Sequence, residues 1–273
     1  MWISSEEYVD PEYSLITVNY QSAFLIGRLF RSLPPDFALK GEMIIVNNDI
    51  EESQLLRRMF EGRLSISIIE MKDNLGFSVA CNRGAEAAKG RVLFFLNPDT
   101  ELLPASLEGW FRSHIGSAKM ILAPKLIQNG REEPWSSGGL ISPWRILLQN
   151  LFPFPRLWTF LSRKSPAWVS GAALALKKED FHFLGGFDEG YFLYYEDVDF
   201  CRRAIEQGFH IRKSDEISCL HHGGRSHRDG AKKQKRAYFD SQDRYIRKYY
   251  GPVGCSFLRL LRALRFSLSR ILC

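Results

Sequence analysis

Three clusters of residues carry side chains that could do chemistry. In Leu96-Asn97-Pro98-Asp99-Thr100 an acid stands where a strongly apolar run, Val92 to Leu96, stops. A carboxylate at the mouth of a buried strand can hold a divalent cation against a pyrophosphate, and Asn-Pro-Asp is equally ordinary turn chemistry. In Tyr195-Glu196-Asp197-Val198-Asp199, three acids fall within four residues, with Arg203 four positions after the last. If a helix starts near Tyr195, Glu196 and Asp197 lie in its first turn, where the helix dipole favours negative charge, and Asp199 reaches Arg203 at i+4 as a structural pair. Glu196 and Asp197 have no cation nearby in sequence, which suits a general base that deprotonates a hydroxyl; a charged, solvated helix start is the competing reading. The third cluster, His221-His222-Gly223-Gly224-Arg225-Ser226, joins two imidazoles to glycines that let backbone approach a ligand and to an arginine that can meet phosphate. Asn74-Leu75-Gly76-Phe77, with Asn82-Arg83-Gly84 after it, has the form of a polar loop opening a helix, or of a simple helix cap.

The elements that must position these residues alternate in kind. Hydrophobic period and punctuation predict strands over 14–19, 42–47, 65–70 and 91–97, and helices over 23–33, 51–60 and 77–89. The first helix stops at Pro34-Pro35, where the donor a helix needs is missing, and the third closes at Gly90. Strand and helix in strict alternation build a parallel sheet covered by helices, which binds ligands beyond the carboxyl ends of its strands. Asp99 lies at such an end. The stretch from Ile141 to Trp168 mixes tryptophans, prolines and leucines and is too broken for one helix; it is either a loop covering the core or an apolar lip that meets lipid.

The chain has 273 residues, 45% of them hydrophobic and 13% aromatic, enough for one substantial core. Its five cysteines are scattered without a Cys-x-x-Cys pair, which fits a reducing cytoplasm. Neither a signal peptide nor a spanning helix is expected. The net charge of +6 is unevenly placed: from Arg228 onward 12 Lys and Arg face three Asp, and everything before sums to −3. On a helical wheel Phe257, Leu260, Leu261, Leu264, Leu268, Ile271 and Leu272 share a side, with Arg259, Arg262 and Arg270 opposite or nearly so. Such a helix either docks on the domain or lies on an anionic membrane surface.

Taken in order, these motifs resemble the inverting family-2 glycosyltransferases of the GT-A fold, and especially their bacterial rhamnosyltransferase-like branch. The matching pieces are Val18-Asn19-Tyr20, Val46-Asn47-Asn48, Asn74-Leu75-Gly76-Phe77 with Asn82-Arg83-Gly84, Leu96-Asn97-Pro98-Asp99-Thr100, Gly185-Gly186-Phe187-Asp188-Glu189, Tyr195-Glu196-Asp197-Val198-Asp199 and His221-His222-Gly223-Gly224. The resemblance implies an α/β fold with a Rossmann-like, mostly parallel central sheet and flanking helices. It implies a catalytic domain over 12–227, followed by a basic helical tail over 228–273. By it, Asp99 and His221 bind Mg²⁺ or Mn²⁺ at the donor diphosphate, and Asp197, beside Glu196, is the catalytic base. Val18, Asn19, Tyr20, Asn47, Asn74, Gly76, Phe77, Asn82, Arg83, Asn97 and Arg225 surround the nucleotide sugar.

Two positions depart from the family pattern: Asn97 stands for the first acid of its metal motif, and Asn47 stands where Asp is common. The implied reaction moves a sugar, L-rhamnose from its thymidine diphosphate in the nearest branch, to a polyprenyl-linked saccharide. That places it in bacterial cell-surface polysaccharide synthesis, on the cytoplasmic face of the inner membrane. The alternatives are a UDP-sugar donor, a nucleotidyltransferase, an inactive scaffold, or a nucleic-acid-binding protein acting through the tail. Acidic balance before Arg228 and missing recognition motifs speak against nucleic acid, and the lack of a glycine-rich loop after the first strand speaks against a nucleotidyltransferase.

Overall fold

A computed structural model describes residues 11–35, 37–103, 107–114, 119–151, 166–223 and 231–271. Four strands, β1 (Tyr13–Asn19), β2 (Gly41–Asn47), β3 (Ile66–Glu70) and β4 (Val92–Leu96), fall within one residue of their predicted bounds. Between them lie α1 (Ala23–Arg31), the single turn α2 (Phe37–Lys40), α3 (Ser53–Met59) and α4 (Phe77–Ala87). β1 pairs in parallel with both β2 and β4, and β2 with β3. The order 3-2-1-4 makes the chain reverse direction across the sheet at β1, so the crevice beyond the carboxyl ends of β1 and β4 is the expected ligand position.

Beyond β4 the sheet becomes mixed. β5 (Thr100–Leu102), β6 (Met120–Gln128), β7 (Arg131–Glu132), β10 (Ala173–Lys177) and β11 (His210–His221) complete it, β10 running antiparallel to β4 and β11 parallel to β6. A separate two-stranded ribbon joins β8 (Ser137–Gly138) to β9 (Trp168–Val169).

Side chains alternate across the strands and divide the core between two faces. Leu15, Ile45 and Phe94 pack with α1, α3 and α5 (Leu107–His114). Ile16, Ile44, Leu93 and Phe95 pack with α4, α7 (Lys178–Phe183) and α8 (Glu196–Glu206).

The broken stretch after Ile141 does contain one helix, α6 (Pro143–Leu151), with proline at its first position, where a missing N–H costs nothing; the rest of it, 152–165, lies outside the described residues. The basic tail is longer than its apolar stripe suggested. It forms α9 (Ala231–Ile271), broken at Gly251 (φ 73°, ψ −179°) just before Pro252. Its docked side joins a third core cluster: Tyr245, Ile246, Cys255 and Leu258 are buried with Ile146, Tyr191, Tyr195 and Val198. Among the described residues no helix is long and apolar enough to cross a membrane.

Candidate active site

At the end of β4 the backbone turns at once. Thr100 N–H and Oγ1 both donate to the Asn97 carbonyl, at 3.1 and 2.7 Å, so the turn reading of Asn-Pro-Asp holds. It holds together with the functional one, because the same turn aims Asp99 inward. Asp99 is 3% exposed, and its Oδ1 is buried without a hydrogen bond. An orphaned carboxylate oxygen in a protein interior is costly unless a cation meets it. Pairing of β11 with β5 sets His221 opposite Thr100, and His222 N–H donates to the Asp99 carbonyl at 3.0 Å. His221 Nε2 therefore stands 3.5 Å from Asp99 Oδ1, an ion-pair distance, while Nδ1 lies 2.7 Å from Glu133 Oε2.

Burial alone would lower the His221 pKa, but the carboxylates of Asp99 and Glu133 outweigh it and hold the imidazolium to about 10. A divalent ion fits these residues. Asp99 Oδ1 and the deprotonated His221 Nε2 would be its protein ligands, with Nδ1–H donating to Glu133, the usual support of a metal-bound histidine. Among the described residues no group of three or more His, Cys, Asp or Glu could hold a metal, so most of the coordination would fall to the substrate and water. Asn97, half-buried beside Asp99, leaves this mouth with one carboxylate fewer than an acid there would. His222 turns to the other side of the strand, where Glu101 and Arg28 engage it.

The second group of acids sits at the start of α8. Tyr194 and Tyr195 precede it with φ of 69° each, two bulky residues running in the left-handed region, at a cost of about 1–2 kcal/mol apiece. The turn they make delivers Glu196 and Asp197 to the first turn of the helix. Asp197 accepts from Gly171 N–H and Val198 N–H, both at 2.8 Å, and is only half-buried. Glu196 is 5% exposed, with Oε2 lacking a partner. Burial, and then the Asp197 charge, pushes Glu196 well above the usual carboxylate range. Burial raises Asp197 too, but its two peptide donors oppose the rise. The two adjacent carboxyls lie in unlike surroundings: burial favours the protonated form of Glu196 most strongly, while the peptide donors favour the charged form of Asp197. Asp199 pairs with Arg203 at 2.8 Å, the i+4 contact the spacing predicted. Burial, and then the nearby carboxyls of Glu196 and Asp99, raise the Tyr194 hydroxyl above its ordinary pKa.

The asparagines at the ends of β1 and β2 form a lattice. Asn19 Nδ2 donates to Asn47 Oδ1 (2.8 Å) and Glu52 Oε2 (3.1 Å), and Asn47 Nδ2 to Glu70 Oε2 (2.7 Å) and Ser53 Oγ (2.9 Å). Both are fully buried, and their amide N–H groups are spent within this lattice, those of Asn19 on Asn47 and Glu52 and those of Asn47 on Glu70 and Ser53. Glu70 explains the departure at 47. Its pKa, raised by burial, is brought below normal by Ser53, Asn47 and Arg57, and an Asp at 47 would set a second negative charge against it. The polar atom left open here is Asn48 Oδ1, which is buried and unbonded, while its Nδ2 donates to the Gly76 carbonyl.

Val18 is buried at the strand end and Tyr20 is half-buried beyond it. Asn74 Oδ1 accepts from Gly76 N–H, and Phe77 N–H donates to the Phe192 carbonyl at 2.7 Å. Gly76 is required: at φ 91° any Cβ would lie 2.5 Å from the Phe192 carbonyl oxygen. Asn82 and Arg83 are placed differently from the nucleotide role the resemblance implies. Asn82 faces the 185–189 segment and holds Phe187 and Glu189, and Arg83, one residue round the helix, is exposed and paired with Glu86. Arg225 lies outside the described residues. Glu133 and Gly171 gave no sequence signal; a Glu-Glu pair after a strand and a Ser-Gly-Ala triplet are too common to mark a site.

Residues 14–155 match the family model described as Glycosyl transferase family 2, and residues 160–222 match one described as the N-terminal domain of galactosyltransferase. The chain is 23% identical over 219 residues to the low-salt glycan biosynthesis hexosyltransferase Agl10 of Haloferax volcanii, a match covering 77% of this chain and 67% of that protein. It is 31% identical over 193 residues to the N-acetylglucosaminyl-diphospho-decaprenol L-rhamnosyltransferase of Mycobacterium tuberculosis, covering 59% of this chain and 60% of that one. Among solved structures, the mannosyltransferase PcManGT from Pyrobaculum calidifontis, in complex with GDP-Man and Mn²⁺, superposes with a TM-score of 0.60 at 14% identity, over 95% of this chain and 76% of that one. At that identity the likeness concerns the fold, which is of the GT-A type.

Proposed function

The chain belongs to glycosyl transferase family 2, a family of glycosyltransferase enzymes, and from that premise we propose that it transfers a hexose from a nucleotide diphosphate donor to a saccharide hydroxyl with inversion. The observation that carries this reading is that one short segment ties both carboxylates: Ala172 accepts from Asn97 N–H at 2.9 Å, in the Asp99 turn, and Gly171 N–H donates to Asp197 at 2.8 Å. Asp99 is buried, with no hydrogen bond to its Oδ1 and His221 Nε2 3.5 Å away; Asp197 is half-buried and held by two peptide N–H groups. The donor lies in the crevice between the β1 and β4 ends, with its base over the Asn19 and Asn47 lattice and its diphosphate toward Asp99. Mg²⁺ or Mn²⁺ held by Asp99 and His221 would supply positive charge for the diphosphate oxygens.

Asp197 accepts the proton of the acceptor hydroxyl as that oxygen bonds to the anomeric carbon. The bond from that carbon to the diphosphate breaks, and its electron pair leaves on the phosphate oxygen. One displacement inverts the configuration. Glu196, protonated, keeps a second charge away from Asp197.

The donor we favour is thymidine diphosphate L-rhamnose and the acceptor a polyprenyl-linked saccharide. The motif pattern and the mycobacterial relative both point that way. The exposed Trp144, Leu148, Val253 and Leu260 on α6 and the second half of α9, with the basic charge of that helix, support peripheral attachment to an anionic membrane. The 228–273 segment is then a basic helical extension of the 12–227 catalytic domain, docked on it through Tyr245, Ile246, Cys255 and Leu258.

A panel of nucleotide sugars with Mg²⁺ or Mn²⁺, scored by donor-induced thermal shift and slow donor hydrolysis, tests the transferase reading. The expected result is a metal-dependent response to thymidine diphosphate rhamnose that Asp99→Ala abolishes. A response to a UDP-sugar instead corrects the donor, and silence toward every donor overturns the reading. Flotation with anionic liposomes tests attachment, which truncation after Gly251 should abolish; equal flotation of both chains would remove that part.

A further inference from the structure

The two tyrosines that deliver Asp197 cannot hold their own turn. Tyr194 and Tyr195 both sit at φ 69°, a region that bulky residues leave unless neighbours prevent it. The neighbours come from α9. The Tyr195 ring is buried between Tyr238 and Tyr245, with centroids 5.4 and 5.5 Å away, and its hydroxyl accepts from Gln242 Nε2 at 2.7 Å. Ser241 Oγ donates to the Leu193 carbonyl at 2.8 Å. Gln242 is 5% exposed and is itself fixed, because Arg262, beyond the break at Gly251, donates to its Oε1 at 2.9 Å and to Asp243 at 2.7 Å. A continuous line of hydrogen bonds thus runs from Arg262, in the second half of α9, to the residue before the acidic pair.

We propose that Gln242 is a positioning residue for transfer, holding the left-handed Tyr194–Tyr195 turn through the Tyr195 hydroxyl so that Asp197 meets the acceptor hydroxyl. This rests on Asp197 as the base. The basic extension, placed apart from the catalytic domain on charge alone, then contributes to catalysis through this turn. The donor side should not feel Gln242, since the Asn19 and Asn47 lattice and the Asp99 turn are built from other elements.

The test is steady-state kinetics on Gln242→Leu, Gln242→Glu and Tyr195→Phe, with Asp197→Asn as reference and circular dichroism to confirm folding. Gln242→Leu should lower kcat about 10- to 100-fold, with donor KM and donor-induced thermal shift unchanged and the acid limb of kcat/KM displaced. Gln242→Glu, which can still accept from Arg262 and from the Tyr195 hydroxyl, should recover most of the loss. Tyr195→Phe removes one oxygen only and should fall in the same direction, which keeps the test valid if Gln242→Leu fails to fold. Wild-type kcat in both Gln242→Leu and Tyr195→Phe, with Asp197→Asn inactive, would overturn the positioning role alone. A parallel loss of donor binding would overturn it in favour of a general structural role. Wild-type turnover in Asp197→Asn would overturn the base assignment and this inference with it.

Discussion

The strand ends where the donor is proposed to lie and the loop that carries Asp197 are built by different means. On the donor side, side chains at the ends of neighbouring parallel strands satisfy one another: Asn19, Asn47, Ser53 and Glu70 close a lattice within one run of strand and helix. The Asp99 turn is likewise made by its own backbone. On the acceptor side, a loop with two strained tyrosines is held by groups some fifty positions later. Arg244 and Lys248 grip Asp188, Lys248 and Tyr249 reach Asp199, and Gln242 reaches Tyr195. On the proposed assignment of donor pocket and base, the two substrates depend largely on different parts of the chain, which meet where Phe77 N–H donates to the Phe192 carbonyl. A change on one side should affect the other less.

The largest effect expected is at the base. Asp197→Asn should lower kcat about 10³-fold while donor-induced thermal shift persists; loss of both would erase the separation between the sides. Next, Asp99→Ala should lower turnover about 100-fold, on the scale of losing one preorganised electrostatic contact to the developing charge, and should also remove the metal dependence of donor binding, measured by calorimetry with and without Mn²⁺. Asn47→Asp should cost about 3 kcal/mol of stability in urea melts by placing an unpaired charge beside Glu70; an unchanged midpoint would show that the lattice tolerates the acid.

The smallest is pH-dependent. Burial opposes ionisation of Asp188, yet Lys248, the Gly190 N–H and Arg244 bring its pKa down to about 2 from the ordinary 3.8. A depressed carboxylate contributes stability above its unfolded pKa and loses it as pH falls through its folded one. The grip of α9 on the loop should therefore weaken between about pH 4 and pH 2, by about 1 kcal/mol once solvent screening of these partly exposed partners is allowed for. Denaturation curves for Asp188→Asn should lack that loss and show lower stability at pH 7. An identical acid limb in both proteins would mean that Asp188 is not part of the prop.

The same contrast explains what could be seen in the sequence. β1 to β4 and their helices were legible within a residue or two because apolar period and Pro or Gly punctuation are local signals. So was the i+4 pair of Asp199 with Arg203. The antiparallel β10 in the sheet was not, since nothing in Ala173 to Lys177 says which neighbour it will choose. Glu133 as the partner of His221, and Gln242 as that of Tyr195, were invisible for the same reason: each meets its partner only through tertiary packing, 88 and 47 positions away. Of the stripe read on the tail wheel, Phe257 and Leu261 are half-buried and Leu260 is 59% exposed, while Cys255 and Leu258 are the buried residues of that segment; the side chains of Leu264, Leu268, Ile271 and Leu272 lie outside the described residues.

The central claim is a single displacement driven by Asp197 at a donor held by Asp99. The most direct measurement is proton NMR of the first-formed sugar from slow donor hydrolysis, read before mutarotation, with water standing in for the acceptor hydroxyl. The configuration opposite to the donor's, formed by the wild type and not by Asp197→Asn, is the predicted result; a product that retains the donor's configuration would contradict it.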